Sequence, residues 1–543
     1  MQNAKTKVFE ALAACLIDNG VDTLFGLMGD ANLFLVDNFR QQENARFVPA
    51  VHEGSAVLMA QGYAQVSGKV GVATVTHGPA VTNCITALTD AARAKMGIVL
   101  MAGDTPGSNP LHLQNTDQRA AATLCGAGFE QLRAPETALE DLARALYLAK
   151  TESRPVIFNM PADFMWADID YKKTIHSVFE TPAYAPEGDV LDEAIGMIAS
   201  AKRPLILAGK GAIHAGDALS RLADRLEAPL ATTLKAKGLF HQHPYSIDIC
   251  GTLSSPAGYE AIDKADCIVA FGASLTEWTS DYGKLFKGKR VVQVDTNAAA
   301  VGRTIHPDAA LIADARLSAD NIVYWLDEAE IAPSGFTREL DSATLRQHET
   351  PPSFDKRAAN TVPYVETIQW LNEILPTNKI LATDGGRFMT EVWCRIDVNR
   401  PQDFLDTTNF GSIGLGLQAA IGASAAAPDR PVVVFTGDGG FMMGGLTELN
   451  SAVRERLDLI VVICNDAAYG AEHIQLIDKK MDPAASTFNW PSFAGVAKSL
   501  GAEGIDLRSA RDLAAVEEAI KVRSGPLVID MHLDPFDVPR MRT

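Results

Sequence analysis

The sequence lacks the marks of several common protein classes. Its 48 Lys and Arg are outnumbered by 67 Asp and Glu, for a formal net charge of -19. That balance argues against nucleic acid and against anionic membrane surfaces as partners, because both select for clustered basic side chains. No stretch approaches the roughly 18 uninterrupted apolar residues of a bilayer-spanning helix; the longest candidates are strand-length runs such as Leu459 to Cys464. The N-terminal stretch MQNAKTKVFEALAACLIDNG reads as an amphipathic helix with a charge at Glu10. It lacks the basic region, apolar run and small-residue cleavage site of a signal peptide. Cysteine is scarce as well. The seven, Cys15, Cys84, Cys125, Cys250, Cys267, Cys394 and Cys464, are odd in number, widely spaced and without a CxxC pair. They fit reduced buried thiols better than a disulfide frame or a zinc site, and a cytoplasmic location is the default expectation.

What is present is a globular composition, 47% hydrophobic and 21% charged, in a chain of 543 residues. That length exceeds one hydrophobic core and matches about three domains. Short Val/Ile-rich runs alternate with helix-length segments: Val70 to Thr76, Ile98 to Ala102, Pro155 to Asn159, Pro204 to Ala208, Cys267 to Gly272, Arg290 to Val294, Val432 to Thr436 and Leu459 to Cys464. This is the pattern of parallel sheets covered by helices, so the expected fold class is α/β. Two Pro-rich or polar stretches interrupt it, Thr181 to Gly188 and Ile331 to Val362, the second holding Pro333, Gly335, Pro351 and Pro352. Read as linkers, they predict three α/β domains at 1–180, 189–330 and 363–543, with 331–362 as the longer linker.

Chemistry is most legible in the third segment. Pro431 to Gly440 ends in Gly437-Asp438-Gly439-Gly440, and Leu459 to Gly470 ends in Asn465-Asp466-Ala467-Ala468-Tyr469-Gly470. Both place polar and glycine residues at the C-terminal end of an apolar run, the edge of a parallel sheet where ligands bind. A helix following Gly440 would turn free N–H groups and its positive dipole end toward a diphosphate. Asp438 and Asn465 are hard oxygen donors suited to Mg²⁺. Either fragment alone reads as an ordinary turn. Together, with 25 residues between Gly439 and Asn465, they resemble the diphosphate-binding motif of the thiamine-diphosphate enzymes, the family of acetolactate synthase, pyruvate oxidase and the pyruvate and benzoylformate decarboxylases. The resemblance implies pyrimidine-binding, central and diphosphate-binding domains. It also implies that Asp438, Asn465 and the Ala467 carbonyl hold Mg²⁺, with Gly437, Gly439, Gly440, Tyr469 and Gly470 around the diphosphate.

A second match lies far upstream. Val51-His52-Glu53-Gly54-Ser55-Ala56, followed by Gly62-Tyr63-Ala64, resembles the segment bearing the family's cofactor-activating glutamate. Glu53 follows the strand-like Phe47 to Val51 and opens a helix of small residues, where a carboxylate can be partly buried and keep a proton available. A lone Glu is usually a solvated charge. The resemblance implies instead that Glu53 hydrogen-bonds the aminopyrimidine N1′, so that the 4′-imino group takes the proton from thiazolium C2 and leaves a carbanion as nucleophile. Asn409 to Gly416 resembles the turn that bends thiamine into a V, with Ile413 as the wedge and Gly411 offering its carbonyl to N4′; the plainer reading is a core Ile in a Gly-rich connection. Thr76 to Asn83 resembles the family's GPG-xx-N turn near the pyrimidine, with Asn83 at its end and Ala80 in place of the third-position glycine. Thr383 to Phe388 falls where relatives place diphosphate contacts, with Gly386 and Arg387 as candidates, set against a surface Arg.

Substrate candidates are more dispersed. Gly26 to Leu33 resembles the loop that carries an active-site aspartate in pyruvate decarboxylases, here Asp30, with Met28 where those enzymes have Pro. Glu472, seven residues after Asn465, falls where they carry a glutamate. Leu111 to Gln118 resembles both the decarboxylase histidine region and the glutamine segment of acetolactate synthases, which makes His112 and Gln114 candidates. A carbanion needs an acid to protonate it and donors for the substrate carboxylate or carbonyl. Neighbouring acids also disfavour a retained carboxylate, which promotes loss of CO₂. Each of these side chains taken singly reads more readily as a cap or a surface group.

In the middle segment, Gly209 and Gly211 lack the third glycine at dinucleotide spacing, the next being Gly216. The segment resembles the central domain of the acetolactate synthase and pyruvate oxidase branch, some members of which bind FAD. FAD is therefore possible but not supported, and a nicotinamide dehydrogenase is more remote still. The expected activity is a thiamine-diphosphate- and Mg²⁺-dependent decarboxylase or carboligase of a small 2-oxo acid. The rivals are a lyase or hydrolase that cleaves an acyloin or diketone without decarboxylation, and a non-catalytic cofactor-binding subunit. The resemblance further implies an obligate homodimer paired into a homotetramer, because in the family the glutamate and the diphosphate motif act on one cofactor from different subunits.

Overall fold

The computed structural model describes residues 5–176, 182–351 and 357–540. All eight apolar runs are strands, and each pairs in parallel with its neighbours. Their side chains are buried on both faces, which is why they read as continuous Val/Ile runs rather than as alternating ones. They belong to three six-stranded parallel sheets, accompanied by one short antiparallel pair, Lys5–Lys7 with Asp168–Asp170.

The first sheet runs Arg46–Pro49, Thr23–Gly26, Gly71–Val75, Ile98–Asp104, Pro155–Pro161, Gly128–Gln131. The third runs Phe404–Asp406, Ile380–Thr383, Val432–Gly437, Leu459–Asn465, Leu527–His532, Glu503–Leu507. Counted in chain order within each domain, both read 2-1-3-4-6-5, so these domains share one topology. The middle sheet, Ser246–Ile249, Leu230–Thr232, Pro204–Ala208, Cys267–Phe271, Arg290–Asp295, Ala309–Ile312, reads 3-2-1-4-5-6, the order of dinucleotide folds.

At the point where that middle order reverses, the two glycines serve packing. A methyl on Gly209 would lie 2.3 Å from the Gly272 carbonyl oxygen, and one on Gly211 2.9 Å from the Gly272 Cα. The turn adds no support for FAD. Lys210, between them, reaches the first domain, where its Nζ donates to the Ala94 carbonyl at 2.6 Å. Burial pushes the Lys210 ammonium down to about 8, whereas an unfolded lysine titrates near ~10.4. Between these values the unfolded chain holds a proton that the folded chain has lost, so the lysine's contribution to stability rises with pH across that window. The unfolding free energy of the wild type minus that of Lys210→Met should therefore climb by up to about 3 kcal/mol between about pH 7.5 and about pH 10.5. Urea titrations at both pH values check this, and a flat difference would refute it.

The stretch read as the longer linker divides between two cores. Phe336 and Leu345 are buried in the middle domain, Ser334 Oγ donates to the Leu226 carbonyl at 2.7 Å, and Val362 is buried in the third domain. Thr181 and Pro352 lie outside the described residues. All seven cysteines are free and six are buried. Among the described residues, no helix is long and apolar enough to cross a membrane.

The helix Glu53–Ser67 of the first domain packs on the helix Gly416–Ala426 of the third. A methyl on Gly62 would sit 1.9 Å from the Ala419 carbonyl oxygen, and one on Gly422 1.8 Å from the Met59 carbonyl oxygen. Met59 faces Gly422 and Gly62 faces Ala419, so the two helices run antiparallel, backbone against backbone. One hydrophobic core passes through this contact, from Phe25 and Val75 to Val434 and Ile463.

Candidate active site

Adjacent strand ends of the third sheet gather the glycine-acid motifs. Gly437 and Cys464 are in register, so Asp438 and Asn465 leave neighbouring strands side by side. The helical run begins at Asp438 itself rather than after Gly440, and continues to Arg454 through a π turn at Phe441–Gly445. Its first N–H groups have no partner within the helix. π turns often mark functional sites, and this one makes room for the Gly411–Gly416 turn. A methyl on Gly444 would lie 2.2 Å from the Gly414 carbonyl oxygen, and Gln418 Nε2 donates to the Gly414 and Gly444 carbonyls at 2.8 and 2.9 Å.

Asp384 holds that turn. It is buried, and its carboxylate accepts from Gly414 N at 2.9 Å, Leu415 N at 3.2 Å, Gly385 N at 2.8 Å and Thr436 Oγ1 at 2.9 Å. Gly411 and Gly414 sit at φ of 79° and 82°, a region that admits glycine without strain. Ile413 is half-buried at the sheet edge rather than within the core.

The electrostatics suit a bound cation. Asp438 is buried, Trp490 Nε1 donates to its Oδ2 at 2.8 Å, and burial together with the charge of Asp466 pushes its carboxyl up. Burial raises Asp466 too, opposed by Arg387 beside it. Asn465 Nδ2 donates to Asp530 Oδ1 at 2.8 Å, which fixes the amide so that Oδ1 is its acceptor side. Ala467 has a φ of 54°, a conformation that costs a non-glycine residue about 1–2 kcal/mol. Its carbonyl accepts from Phe488 N at 2.8 Å and keeps a second lone pair. Asp530 also belongs to the one acid–histidine cluster among the described residues with metal-ligand spacing, Asp506, Asp530 and His532. Its members bond one another, with His532 Nε2 3.0 Å from Asp506 and 3.2 Å from Asp530, so the cluster buttresses Asn465.

Arg387 fits an anionic diphosphate. It is 5% exposed, hence not a surface arginine. Its Nη2 reaches Asp466 Oδ2 at 3.2 Å and the Pro535 carbonyl, while Nε and Nη1 are buried with no protein partner. Unpaired buried donors cost about 1–3 kcal/mol each, and a phosphate oxygen would satisfy them. Gly470 lies alongside, where a methyl would be 3.4 Å from Nε. Gly439 lies under the Tyr469 ring, which a methyl would approach to 2.5 Å. Gly386 immediately precedes Arg387.

The first sheet carries the other set along its own C-terminal edge. Asp30 is exposed on a loop pinned by buried Asn32, whose Nδ2 donates to the Leu27 carbonyl and Thr74 Oγ1 at 3.1 Å each. Beside it, the ring of buried His77 lies 5.3 Å from that of His112, tilted by 57°, and its Nδ1 has no partner. Gln114 crosses Gly78, where a methyl would be 2.3 Å from the Gln114 carbonyl oxygen. Asn83 Nδ2 donates to Glu53 Oε2 at 3.0 Å. Ala80 sits in the helical turn Pro79–Thr82, where a Cβ is ordinary, so the missing glycine leaves that turn intact. Glu472 is exposed on the helix Gly470–Asp478, at the third sheet's edge and apart from this group.

Within one chain the two sets lie far apart. Glu53 precedes Met59 by six residues and Gly416 precedes Gly422 by six, on antiparallel helices. At 1.5 Å per residue, about 18 Å separates Glu53 from the Gly411–Gly416 turn along the pair. A second ruler agrees. Val51 N and His52 N donate to Glu448 Oε1 at 2.9 and 3.0 Å, and Glu448 lies ten residues, about 15 Å, down the helical run from Asp438. Asp384, Asp530, Trp490 and Glu448 escape the sequence reading. Of these, only Asp384 carries a local signal, an acid leading a glycine pair after a strand.

Sequence models of the thiamine pyrophosphate enzymes match the chain in three places: the N-terminal TPP binding domain at residues 6–121, the central domain at 191–322 and the C-terminal TPP binding domain at 384–531. Among curated proteins, the acetolactate synthase isozyme 1 large subunit of Escherichia coli K12 is 27% identical over 534 residues, covering 97% of this chain and 93% of that protein. A sulfoacetaldehyde acetyltransferase of Roseovarius nubinhibens is 29% identical over 550 residues, 94% and 89% of the two chains. A probable 2-ketoarginine decarboxylase of Pseudomonas aeruginosa is 29% identical over 546 residues, 98% and 95%.

Proposed function

Because the chain belongs to the thiamine pyrophosphate enzyme family, its three domains matched in order, we propose that it is a Mg²⁺-dependent decarboxylase or carboligase of a small 2-oxo acid. The observation that carries this reading is the division of one catalytic apparatus between two sheets of identical topology. Asp438, Asn465, Arg387 and the Ile413 turn lie on one edge, and Glu53, Asn83, Asp30, His112 and Gln114 on the other. Relatives named as a synthase and a decarboxylase cover nearly the whole chain, which favours 2-oxo acid chemistry.

When bound, thiamine diphosphate supplies a carbon nucleophile and an electron sink. The chain's own residues bind and orient it. Asp438 and Asn465 Oδ1, with the Ala467 carbonyl, would hold Mg²⁺. Arg387 and the N–H groups from Gly439 and Gly440 would hold the diphosphate, with Gly386, Gly437, Tyr469 and Gly470 shaping its bed. Ile413 and the Gly411 carbonyl would set the ring geometry. Glu53, steadied by Asn83, would hold a proton at the pyrimidine nitrogen. His112, Asp30, Gln114 and Glu472 are the proposed groups that donate a proton or orient substrate.

The separation of the two sets within one chain supports an obligate homodimer, in which each edge faces the opposite edge of a second copy, with two dimers pairing into a tetramer. Apolar side chains support it further. Leu111 and Leu113 are 92% and 97% exposed on the loop of the first edge, and Met443 is 61% exposed beside the Gly414 turn. Such groups suit a covered surface.

Purified protein with thiamine diphosphate and Mg²⁺ should release CO₂ from at least one member of a panel of 2-oxo acids, with an aldehyde, acyloin or acetolactate-type product. Inertness toward all of them, together with cleavage of an acyloin or diketone, would overturn the reading in favour of a non-decarboxylating lyase or hydrolase.

A further inference from the structure

We infer that Asp90 is a positioning residue for the proposed cofactor turn, gripping Asn409 and Phe410 from the first domain of the same chain. The inference rests on the thiamine-diphosphate reading. Asp90 lies on the helix Ile85–Arg93 and is fully buried at the contact between first and third domains. Its Oδ1 accepts from the Phe410 backbone N–H at 3.1 Å, and its Oδ2 accepts from Asn409 Nδ2 at 3.0 Å and Gln61 Nε2 at 2.9 Å. One turn further along the same helix, the Arg93 guanidinium lies 4.6 Å over the Phe410 ring.

The middle domain grips the turn as well. Lys235 Nζ donates to Asn409 Oδ1 and to Asp406 Oδ2, each at 2.6 Å. Asp406 Oδ1 in turn accepts from Thr408 N at 2.9 Å and Thr408 Oγ1 at 2.6 Å. Both ends of the Asn409 amide are therefore spoken for, its oxygen by the middle domain and its nitrogen by the first domain and by the Asp406 carbonyl, to which it also donates at 3.0 Å. The segment immediately before Gly411 and Ile413 is thus fixed by all three domains.

A buried carboxylate is a poor choice for adhesion alone. The surrounding contact is largely apolar, with Ala87, Leu88, Ala91, Met59 and Ala420 in its buried core, and burying a charge there costs free energy unless its lone pairs are used. Asp90 uses two of its three acceptor contacts on Phe410 N and Asn409 Nδ2 at the turn, while the third, from Gln61 Nε2, ties its carboxylate to the helix Glu53–Ser67. Asp90 itself touches neither Gly411 nor Ile413 and acts through the turn.

The test is equilibrium binding of thiamine diphosphate, at saturating Mg²⁺, to the full-length protein by calorimetry, with melting temperatures of the cofactor-free variants alongside. Wild type is the control for the functional reading: if it binds no thiamine diphosphate, that reading fails whatever Asp90 does. Given wild-type binding, Asp90→Asn should weaken affinity by about 10- to 100-fold, because an amide donor then confronts the donors it must accept from. The exchange D90N/N409D sets a donor at 90 against an acceptor at 409 and keeps Lys235 paired, but turns an oxygen onto the Asp406 carbonyl, so it should recover part of the lost affinity, about threefold or more over Asp90→Asn alone. Asn409→Ala removes a half-buried side chain at the turn and covers the case in which Asp90→Asn does not fold; it should weaken binding by about 3- to 10-fold. Affinities within about twofold of wild type in the folded variants, with only melting temperatures lowered, would overturn the inference and leave Asp90 as domain adhesive. A loss that the exchange fails to reduce would overturn it too.

Discussion

Glu53→Gln should retain thiamine diphosphate and Mg²⁺ binding within a fewfold of wild type, yet lose about 10²- to 10⁴-fold in turnover, the usual worth of a positioned proton-transfer group. Proton–deuterium exchange at the cofactor C2, followed by NMR, should slow in parallel. Asp438→Ala should fail earlier, at metal and cofactor binding, because it removes a proposed Mg²⁺ ligand. Neither variant should be active alone. Glu53 and Asp438 lie at opposite ends of the helix pair, so the proposed site takes Glu53 from one chain and Asp438 from another. A mixed dimer of the two variants, purified through two different tags, should then hold one intact site and recover about half of the wild-type activity per dimer. If each site were built within one chain, the same dimer would hold none. Mixed dimers that form without recovering activity would refute the shared site, and unchanged exchange in Glu53→Gln would remove Glu53 from the mechanism.

Gly422→Ala should destabilise the protein severely, against the expectation from helix propensity, which favours Ala over Gly by about 1 kcal/mol. The added methyl would lie 1.8 Å from the Met59 carbonyl oxygen, and backbone offers no flexible end that could yield. The two helices must part, at a cost at or beyond the top of the usual 1–3 kcal/mol for overpacking. Because this pair sets the spacing between the two edges, activity should fall with it, and Gly62→Ala should behave alike. Gly196, on the helix Asp189–Ala199, supplies the control. A methyl there meets nothing within 4 Å, so Gly196→Ala should stabilise by about 0.5–1 kcal/mol. Melting curves of the three variants decide the matter, and a Gly422→Ala protein as stable as wild type would mean that the helices do not meet in this way.

Much of the molecule was legible in the amino-acid order. Runs such as Val432–Gly437 and Leu459–Asn465 declare themselves because a strand buried on both faces needs apolar β-branched side chains at every position. The motifs at their ends are equally local, since an acid or amide at a strand's C-terminal end is carried by that strand wherever the sheet lies. Hence Asp438 and Asn465 were readable as a pair, and Glu53 as the head of a small-residue helix. The helix start was misplaced by three residues because glycine pairs suggest a loop, whereas the helical run here begins at Asp438 and contains both glycines. Arg387 was ambiguous between surface and site, since nothing in its neighbours along the chain reveals that its guanidinium is buried with two donors unpaired. Only the tertiary structure decided that Asp384 ties Gly414 to Thr436, that Asp530 orients Asn465, and that Asp90 and Lys235 meet on Asn409. Only it decided, too, that Glu53 and Asp438 stand apart in one chain. These are contacts between residues tens to hundreds of positions apart, and they depend on how sheets and helices stack, which no local periodicity encodes.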